Sequence, residues 1–213
     1  MTSRLQSFAV ALAGLALAGA AAAQDNVLKV GITEYTTHSS SNGVTGIGVP
    51  PGADAKTGNA STLIVVYERL FAPNLGAEIV LGIPPRIKAK GAGSVAFLGD
   101  DVLSAKNVAP TVLVNYHFGA PGDTLRPYLG AGFNYTKFVS AKSKLATDVK
   151  LGDSFGWAVQ AGVDYALNKD WGLFASVAAL KVKSKVVATG ATVLTTTIDF
   201  RPITYQAGVS YRF

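Results

Sequence analysis

Few side chains in this sequence could carry out catalysis. The chain has no cysteine and two histidines, His38 and His117. Neither histidine has a serine and a carboxylate at a spacing that suggests a catalytic triad. The two histidines also fall in different segments, so no histidine or cysteine cluster is available to bind a metal ion. We therefore expect a protein that is not an enzyme and that uses neither a cofactor nor a metal.

Acidic residues occur within otherwise apolar segments, and Glu78 and Asp164 are clear examples. A carboxylate inside a protein needs a cationic partner, because a lone buried charge is costly. Arg126 and Arg212 occupy strand positions that would point into the protein interior, as Glu78 and Asp164 do. Ion pairing and packing explain these residues at least as well as a binding role does, so both interpretations stay open.

The segments that carry these residues alternate with a period of two, which is the repeat of a β-strand. In the segment 75–83 every odd-numbered residue is apolar, whereas the even-numbered set contains glycine and glutamate. Segments 155–165 and 203–213 repeat the pattern. After Ala23 no unbroken apolar stretch approaches the length of a membrane helix. The sequence therefore predicts strands that meet different solvents on their two faces.

Aromatic residues concentrate at the ends of these segments. A soluble β-sandwich places its large residues mid-strand, whereas a membrane barrel places aromatics at both edges of its outer apolar band. The pattern favours a membrane barrel. The residues concerned are Tyr67, Phe71, Tyr116, Phe118, Phe133, Tyr135, Phe155, Trp157, Trp171, Tyr211 and Phe213.

The segments predict eight strands whose connections alternate between long and short. An up-and-down barrel has this arrangement, because every second connection lies on the same rim. We therefore predict an all-β fold, an eight-stranded antiparallel up-and-down transmembrane β-barrel, with short periplasmic turns and long extracellular loops. The predicted strands are 28–38, 62–71, 75–87, 107–118, 125–138, 153–167, 170–185 and 198–213, and the predicted long loops are 39–61, 88–106, 139–152 and 186–197.

The amino-terminal segment predicts export. Arg4 precedes an apolar, alanine-rich run from Phe8 to Ala23, and the small residues that end this run suit a signal peptidase. The alternative is a membrane anchor, but the run is shorter than a spanning helix needs. We expect residues 1–23 to be a cleaved signal peptide. Residues 24–213 would then form the barrel in the outer membrane of a Gram-negative cell, after secretion through the periplasm.

The carboxyl-terminal strand carries the polar, glycine, aromatic and terminal-aromatic pattern that the outer-membrane insertion machinery reads. Its residues are Gln206, Gly208, Tyr211 and Phe213. The alternative is an ordinary edge strand that ends on phenylalanine. The position of this pattern at the end of a chain with a predicted signal peptide favours the insertion signal.

Several stretches resemble the outer membrane protein W (OmpW) family, and their order and spacing agree over essentially all of residues 24–213. The stretch RPYLGAGFNYT is similar to the fifth strand of that family, and the later stretches are similar to its next hairpin and its end. These matches are RPYLGAGFNYT at 126–136, DSFGW at 153–157, QAGVDY at 160–165, DW at 170–171 and YRF at 211–213.

The resemblance implies an eight-stranded barrel with a hydrophobic lumen, proposed to carry small apolar molecules, including alkanes in some relatives. It also implies that certain members are receptors for phage or bacteriocins. Eight strands leave an interior filled by side chains or room for one slim ligand, so a water-filled channel is not expected. Inward parity predicts an apolar upper lumen above a polar plug. The predicted lumen-lining residues are Ile64, Val66, Glu78, Val80, Leu113, Asn115, His117, Gln160 and Asp164.

Prolines interrupt the predicted strands at Pro84, Pro85 and Pro110. Proline removes a ladder donor and is normally confined to edges, strand starts or bulges. In a closed barrel such a break opens a side window, so one interpretation is a lateral exit from the lumen into the bilayer. The other interpretation places these prolines above the membrane, where strands flare into loops, and the sequence does not separate the two.

We expect the barrel to give small hydrophobic molecules a path across the lipopolysaccharide layer, with lateral exit into the bilayer. The alternative is a structural or receptor-type barrel whose extracellular loops bind partners, such as a phage or a bacteriocin, without transport. Expected partners are outer-membrane lipid and lipopolysaccharide, the barrel-insertion machinery and small hydrophobic solutes. The net charge of +6 does not predict nucleic-acid binding, because the lysines are scattered and lack interleaved aromatics.

The seventh predicted strand departs from the family pattern. Lys181, Lys183 and Lys185 alternate on one face, where relatives tend to carry acidic residues. These lysines could approach lipopolysaccharide phosphates near the extracellular rim, and solvation above the membrane explains them equally well.

Overall fold

The computed structural model describes residues 26–100, 102–190 and 192–213, which are built almost entirely of β-strands. The predicted signal peptide, residues 1–23, lies outside the described residues. Within the described ranges, no helix has both the length and the apolar composition to cross a membrane. A short 3₁₀ helix is present at Ala96–Leu98.

Short breaks divide most passes of the chain into two strands, so the described ranges contain fifteen strands. They are β1 (Asn26–Thr37), β2 (Ser40–Ser41), β3 (Ala53–Thr57), β4 (Ala60–Ala72), β5 (Leu75–Gly82), β6 (Arg86–Gly93), β7 (Leu103–Val108), β8 (Thr111–His117), β9 (Leu125–Ser143), β10 (Asp148–Leu151), β11 (Ser154–Ala166), β12 (Trp171–Leu180), β13 (Lys183–Thr189), β14 (Val193–Asp199) and β15 (Pro202–Arg212).

Eight of these strands close into an antiparallel barrel in the order β1, β4, β5, β8, β9, β11, β12, β15 and back to β1. The two ends of the described chain meet where the barrel closes, because Val27 lies opposite Arg212 and the backbones of Asn26 and Phe213 exchange hydrogen bonds of 3.2 and 2.9 Å. The predicted fold is confirmed. Closure pairs every barrel strand on both sides, so no apolar strand is left with an open edge.

The remaining strands form a collar at the end of the barrel that carries the long connections. The collar contains two ladders, β3–β6–β7–β9 and β10–β13–β14–β2. The predicted strand ends toward the long connections were therefore wrong, since strands occupy much of the predicted loops 39–61, 88–106, 139–152 and 186–197. These segments are rich in lysine, threonine and small residues, so they lack the long apolar alternation by which the membrane strands are recognised.

Outward-facing residues of the barrel form a wide apolar band. Ile32 is 62 % exposed and Phe155 is 71 % exposed, and neither contacts a facing sheet. Aromatic pairs mark both ends of the band: the rings of Trp171 and Tyr211 lie 4.9 Å apart at the short-turn end, and those of Phe133 and Phe155 lie 5.5 Å apart at the other. An apolar surface of this extent faces lipid rather than water.

In the seventh pass, formed by β12 and β13, inward and outward residues alternate. The structure turns Phe174 and Leu180 inward and leaves Val177 exposed on the outside. The ring of Phe174 fits inside the barrel because Gly31 and Gly208 face it. A Cβ added at Gly31 would lie 3.0 Å from that ring, and one at Gly208 would lie 2.8 Å from it.

Candidate functional site

A layer of polar side chains crosses the lumen toward the short-turn end of the barrel, and we call this layer the plug. Strands β1, β4, β5, β8 and β11 supply it, since alternate residues of each strand point inward. All members except Asp164 are at least nine-tenths buried. The plug consists of Lys29, Glu68, Glu78, Asn115, His117, Gln160 and Asp164.

Lys29 is the central cation of the plug. Its Nζ atom lies 3.1 Å from Glu68 Oε2, 3.1 Å from Asp164 Oδ1 and 3.7 Å from Glu78 Oε2. The same ammonium group lies 4.8 Å from the centroid of the Tyr128 ring, a distance at which a cation–π attraction adds to the ion pairs. Lys29 therefore offsets part of the negative charge in the lumen and links β1 to β4, β5 and β11.

Two amide side chains connect the carboxylates of the plug. Asn115 Nδ2 donates to Glu68 Oε1 at 2.8 Å and to Glu78 Oε2 at 3.0 Å. Gln160 Nε2 donates to Glu78 Oε1 at 2.9 Å and to Asn115 Oδ1 at 2.8 Å. His117 Nε2 lies 2.8 Å from Glu68 Oε1. A buried network whose members bond to one another in this way fixes their positions across the lumen.

Sequence reasoning missed two members of the plug, Lys29 and Glu68. Both carried a usable signal: Lys29 shares the inward parity of Gly31, and Glu68 shares that of Ile64 and Val66. The expected partners of Glu78 and Asp164 were Arg126 and Arg212, whereas the structure pairs these carboxylates with Lys29.

Arg126 is buried below the plug. Its Nη2 donates to the carbonyl oxygen of Pro73 at 3.0 Å. Together with Arg212 it lines a cavity of about 440 Å³ at the short-turn end. The plug therefore separates this polar cavity from the rest of the lumen.

Three residues of the plug have the donor types of a metal site. Ligand atoms of Glu68, His117 and Asp164 all lie within 4.8 Å of one another. The ammonium group of Lys29 lies 3.1 Å from two of these residues, so a positive charge already pairs with their carboxylates. This arrangement is that of a buried ion network rather than an open coordination site.

Above the plug the lumen holds a connected cluster of apolar side chains, with the buried polar side chains of Thr111, Asn134 and Thr204 among them. Ile64, Val66, Val80 and Leu113 face inward immediately above the polar layer, each less than a tenth exposed. The apolar wall continues toward the collar, where it is lined by Leu180, Val182, Val186, Ile198 and Phe200, with Leu103, Phe138, Val149 and Leu151 packed against it.

A cavity of about 340 Å³ opens at the collar end, and we call it the funnel. Its lining is mostly aliphatic and includes Val44, Leu103, Val186 and Leu194. Val186 also belongs to the apolar lumen wall, so the funnel leads directly into that wall. Two smaller spaces of about 30 Å³ each lie between the funnel and the plug, so a solute moving further down must displace side chains.

One pair of neighbouring barrel strands loses its backbone pairing above the plug. Between β5 and β8, pairing ends where Val80 lies opposite Thr111, and it resumes where Arg86 lies opposite Lys106. We call the intervening residues, 81–85 and 107–110, the seam.

The predicted lateral-exit residues Pro84, Pro85 and Pro110 all lie in this seam. Proline has no N–H to donate, which explains why pairing stops there. On its other side Pro110 stays bound to the barrel, because its carbonyl accepts a hydrogen bond of 3.0 Å from the backbone N–H of Tyr135. Pairing at Pro110 is therefore lost toward β5 while β8 stays paired with β9.

The remaining predicted residues belong to neither the plug nor the seam. His38 lines a cleft on the outer wall near the collar. The carboxyl-terminal residues Gln206, Gly208 and Tyr211 belong to β15, which closes the barrel against β1, and Phe213 follows it.

A closed eight-stranded barrel with an apolar outer band and aromatic ends defines the class of outer-membrane β-barrel proteins. The comparisons agree: the model of the OmpW family matches residues 22–213, and the chain belongs to this family. Outer membrane protein W of Vibrio cholerae is 31 % identical over 198 residues, which cover 89 % of this chain and 88 % of that protein. The protein is therefore located in the outer membrane of a Gram-negative cell.

Two further relatives are informative. The crystal structure of the outer membrane protein OprG from Pseudomonas aeruginosa superimposes with a TM-score of 0.80 at 26 % identity, covering 90 % of this chain and 96 % of that one. The dibenzothiophene metabolism operon protein PahQ of Pseudomonas aeruginosa is 34 % identical over 144 residues, which cover 67 % of this chain and 64 % of that protein.

Proposed function

We propose that this barrel gives small hydrophobic molecules a path across the lipopolysaccharide layer and releases them sideways into the bilayer. The observation that carries the proposal is the contiguous cluster of apolar side chains that extends from the funnel through the upper lumen to the plug. An apolar solute crosses the charged lipopolysaccharide layer poorly, and this surface replaces that layer with aliphatic side chains. The proposed role is non-enzymatic.

The plug supports lateral rather than axial release. A hydrophobic solute that moved past Glu78 and Lys29 would have to separate buried ion pairs, which costs free energy. The seam begins immediately above this layer, because Glu78 lies opposite Leu113 and the last pair before the seam is Val80 with Thr111. A solute stopped by the plug therefore faces the junction at which two strands are not held by backbone hydrogen bonds.

The name of one relative agrees with a hydrophobic solute. PahQ is named for a dibenzothiophene metabolism operon, and dibenzothiophene is an apolar aromatic compound. We also propose that residues 1–23 are removed on export. In the same way, Gln206, Gly208, Tyr211 and Phe213 would be read by the insertion machinery.

The chain has no cysteine, so a pair of introduced cysteines can test the seam cleanly. Gly82 and Ala109 continue the register of the last pair and line the same part of the lumen. A Cβ at Gly82 meets its nearest neighbour at 3.6 Å, which is ordinary contact. The test variant is G82C/A109C, and the control is V30C/V209C, which joins directly opposite residues of β1 and β15.

Uptake of a radiolabelled medium-chain alkane would be measured in cells that lack the gene and in cells restored with each variant. We expect the native chain to accelerate uptake, the oxidised seam pair to abolish the gain, and reduction to restore it. The control pair should transport in both redox states. Equal uptake with and without the native chain would reject transport of that solute and favour the receptor-type alternative. Full uptake through a verified seam disulfide would reject lateral exit alone.

A further inference from the structure

A basic strip runs up the outer wall of the barrel at the boundary between its apolar band and the collar. Lys181, Lys183 and Lys185 lie on alternate positions of the seventh pass and are exposed, and we call them the lysine ladder. Alternate residues of a strand point to the same face about 7 Å apart. No carboxylate among the described residues forms an ion pair with any of the three.

The residues beside the lysine ladder show where it lies along the barrel axis. The backbone N–H of Lys181 donates to the carbonyl oxygen of Trp157 at 3.0 Å, and Trp157 is an outward aromatic residue, 48 % exposed, near the collar end of the band. Lys183 lies opposite Asp199 in the collar. The ladder therefore starts at the level of the membrane interface, where aromatic residues of barrels lie, and rises out of the apolar region.

A cleft of about 390 Å³ lies at the foot of the ladder. Its floor is apolar and includes Trp157, Ala179 and Ile203, whereas Lys181 and Arg201 stand at its rim. Such a cleft matches a lipid that carries an anionic group directly above hydrocarbon chains.

The backbone of Arg201 supports a ligand role. Arg201 has a φ of 37°, a left-handed conformation that non-glycine residues adopt at a cost of about 1–3 kcal/mol. Its guanidinium is held by Asp199 at 3.2 Å and by the Ser40 hydroxyl at 2.8 Å, and its side chain remains 61 % exposed. The strained turn thus presents a cation at the rim of the cleft.

We propose that the lysine ladder and the cleft bind lipopolysaccharide of the surrounding outer leaflet, with the phosphates of its lipid A on the ladder and Arg201, and an acyl chain in the cleft. The phosphates supply the anions that the ladder lacks. The apolar floor and the interfacial height favour a membrane lipid over a free anion. This site lies on the outer wall, so the inference does not depend on solute transport through the lumen.

Purified protein in detergent would be titrated with diphosphoryl lipid A and analysed by native mass spectrometry. The variant K181Q/K183Q/K185Q removes the ladder, and K56Q/K90Q/K142Q removes the same charge from exposed positions on β3, β6 and β9. K181R/K183R/K185R keeps the charge. Heat-modifiable migration on gels would verify that each variant is folded.

We expect the native chain and the arginine variant to retain diphosphoryl lipid A, and the ladder variant to bind at least tenfold more weakly at low salt. The control variant should lose less than threefold. Dephosphorylated lipid A should bind all variants equally weakly, and millimolar inorganic phosphate should not displace the lipid. An equal loss in the ladder and control variants, no preference for the phosphorylated lipid, or displacement by inorganic phosphate would overturn the proposal.

Discussion

Replacing Lys29 with methionine should destabilise the barrel strongly while leaving its volume nearly unchanged. The substitution removes the ammonium group from contacts of 3.1 Å to Glu68, 3.1 Å to Asp164 and 3.7 Å to Glu78. The carboxylates then stay buried without their cation, and removal of one partner from a buried ion pair costs about 3–5 kcal/mol. The variant K29M/E68Q removes one of the stranded charges as well, so its loss should be smaller than the sum of the two single losses by about 0.5–3 kcal/mol.

Urea unfolding of the protein in lipid vesicles would measure these free energies. The fluorescence of Trp157 and Trp171, both on the lipid-facing surface, reports when the barrel leaves the bilayer. K90M is the control, because Lys90 is exposed and lies outside the plug. The same vesicles allow ion conductance to be recorded, and K29M should raise it, since the plug then lacks its central cation. A loss for K29M within 1 kcal/mol of that for K90M, with conductance unchanged, would refute the assignment of Lys29 as the centre of the plug.

Three further predictions concern stability and use the same unfolding assay. G31V should prevent or severely weaken assembly, because the added side chain would meet the ring of Phe174 and the neighbouring strand, whereas G122A should be nearly silent, since its Cβ would meet nothing within 4 Å; equal effects would contradict the packing argument. Q160L should cost about 1–3 kcal/mol, because Glu78 loses a buried donor at 2.9 Å, and a neutral result would mean that the network does not stabilise the barrel. N168A should cost about 1 kcal/mol, because the side-chain oxygen accepts hydrogen bonds from the backbone N–H groups of residues 170 and 171; unchanged stability would show that this turn forms without them.

The membrane part of the fold was predictable because each barrel strand meets lipid on one face and a crowded lumen on the other. Because of that contrast, apolar residues alternate with small or polar residues along each strand. This period-two pattern located the eight strands that cross the membrane. The collar was not predictable in the same way. Strands β13 (KSKVVAT) and β14 (VLTTTID) show no regular alternation of apolar and polar residues, and their pairing depends on neighbours that the barrel below brings close.

The sequence predicted which strand face the plug residues occupy, but it did not predict which residues form ion pairs there. Inward parity brought Glu78, Asn115, Gln160 and Asp164 to the lumen, where the structure also places them. The odd or even position of a residue along its strand does not give its position along the barrel axis. That position depends on the tilt and stagger of the strands in the closed barrel. The cation that pairs with Glu78 and Asp164 is therefore Lys29, whereas the arginine chosen from parity, Arg126, lies below the plug.

The order of features along the lumen links the plug to the proposed exit. A seam low in the barrel would open into the polar cavity near Arg126, and a seam high in the collar would open into water, so neither would deliver an apolar solute to hydrocarbon. The interruption between β5 and β8 begins just above the plug, and the outward residues beside it, Ile83 and Val112, are 59 % and 52 % exposed on the apolar band. With a plug but no seam, a solute in the apolar lumen would have no exit. With a seam but no plug, ions could pass along the lumen. Removal of the central cation of the plug in K29M should therefore raise ion conductance even when the seam is held shut by a disulfide.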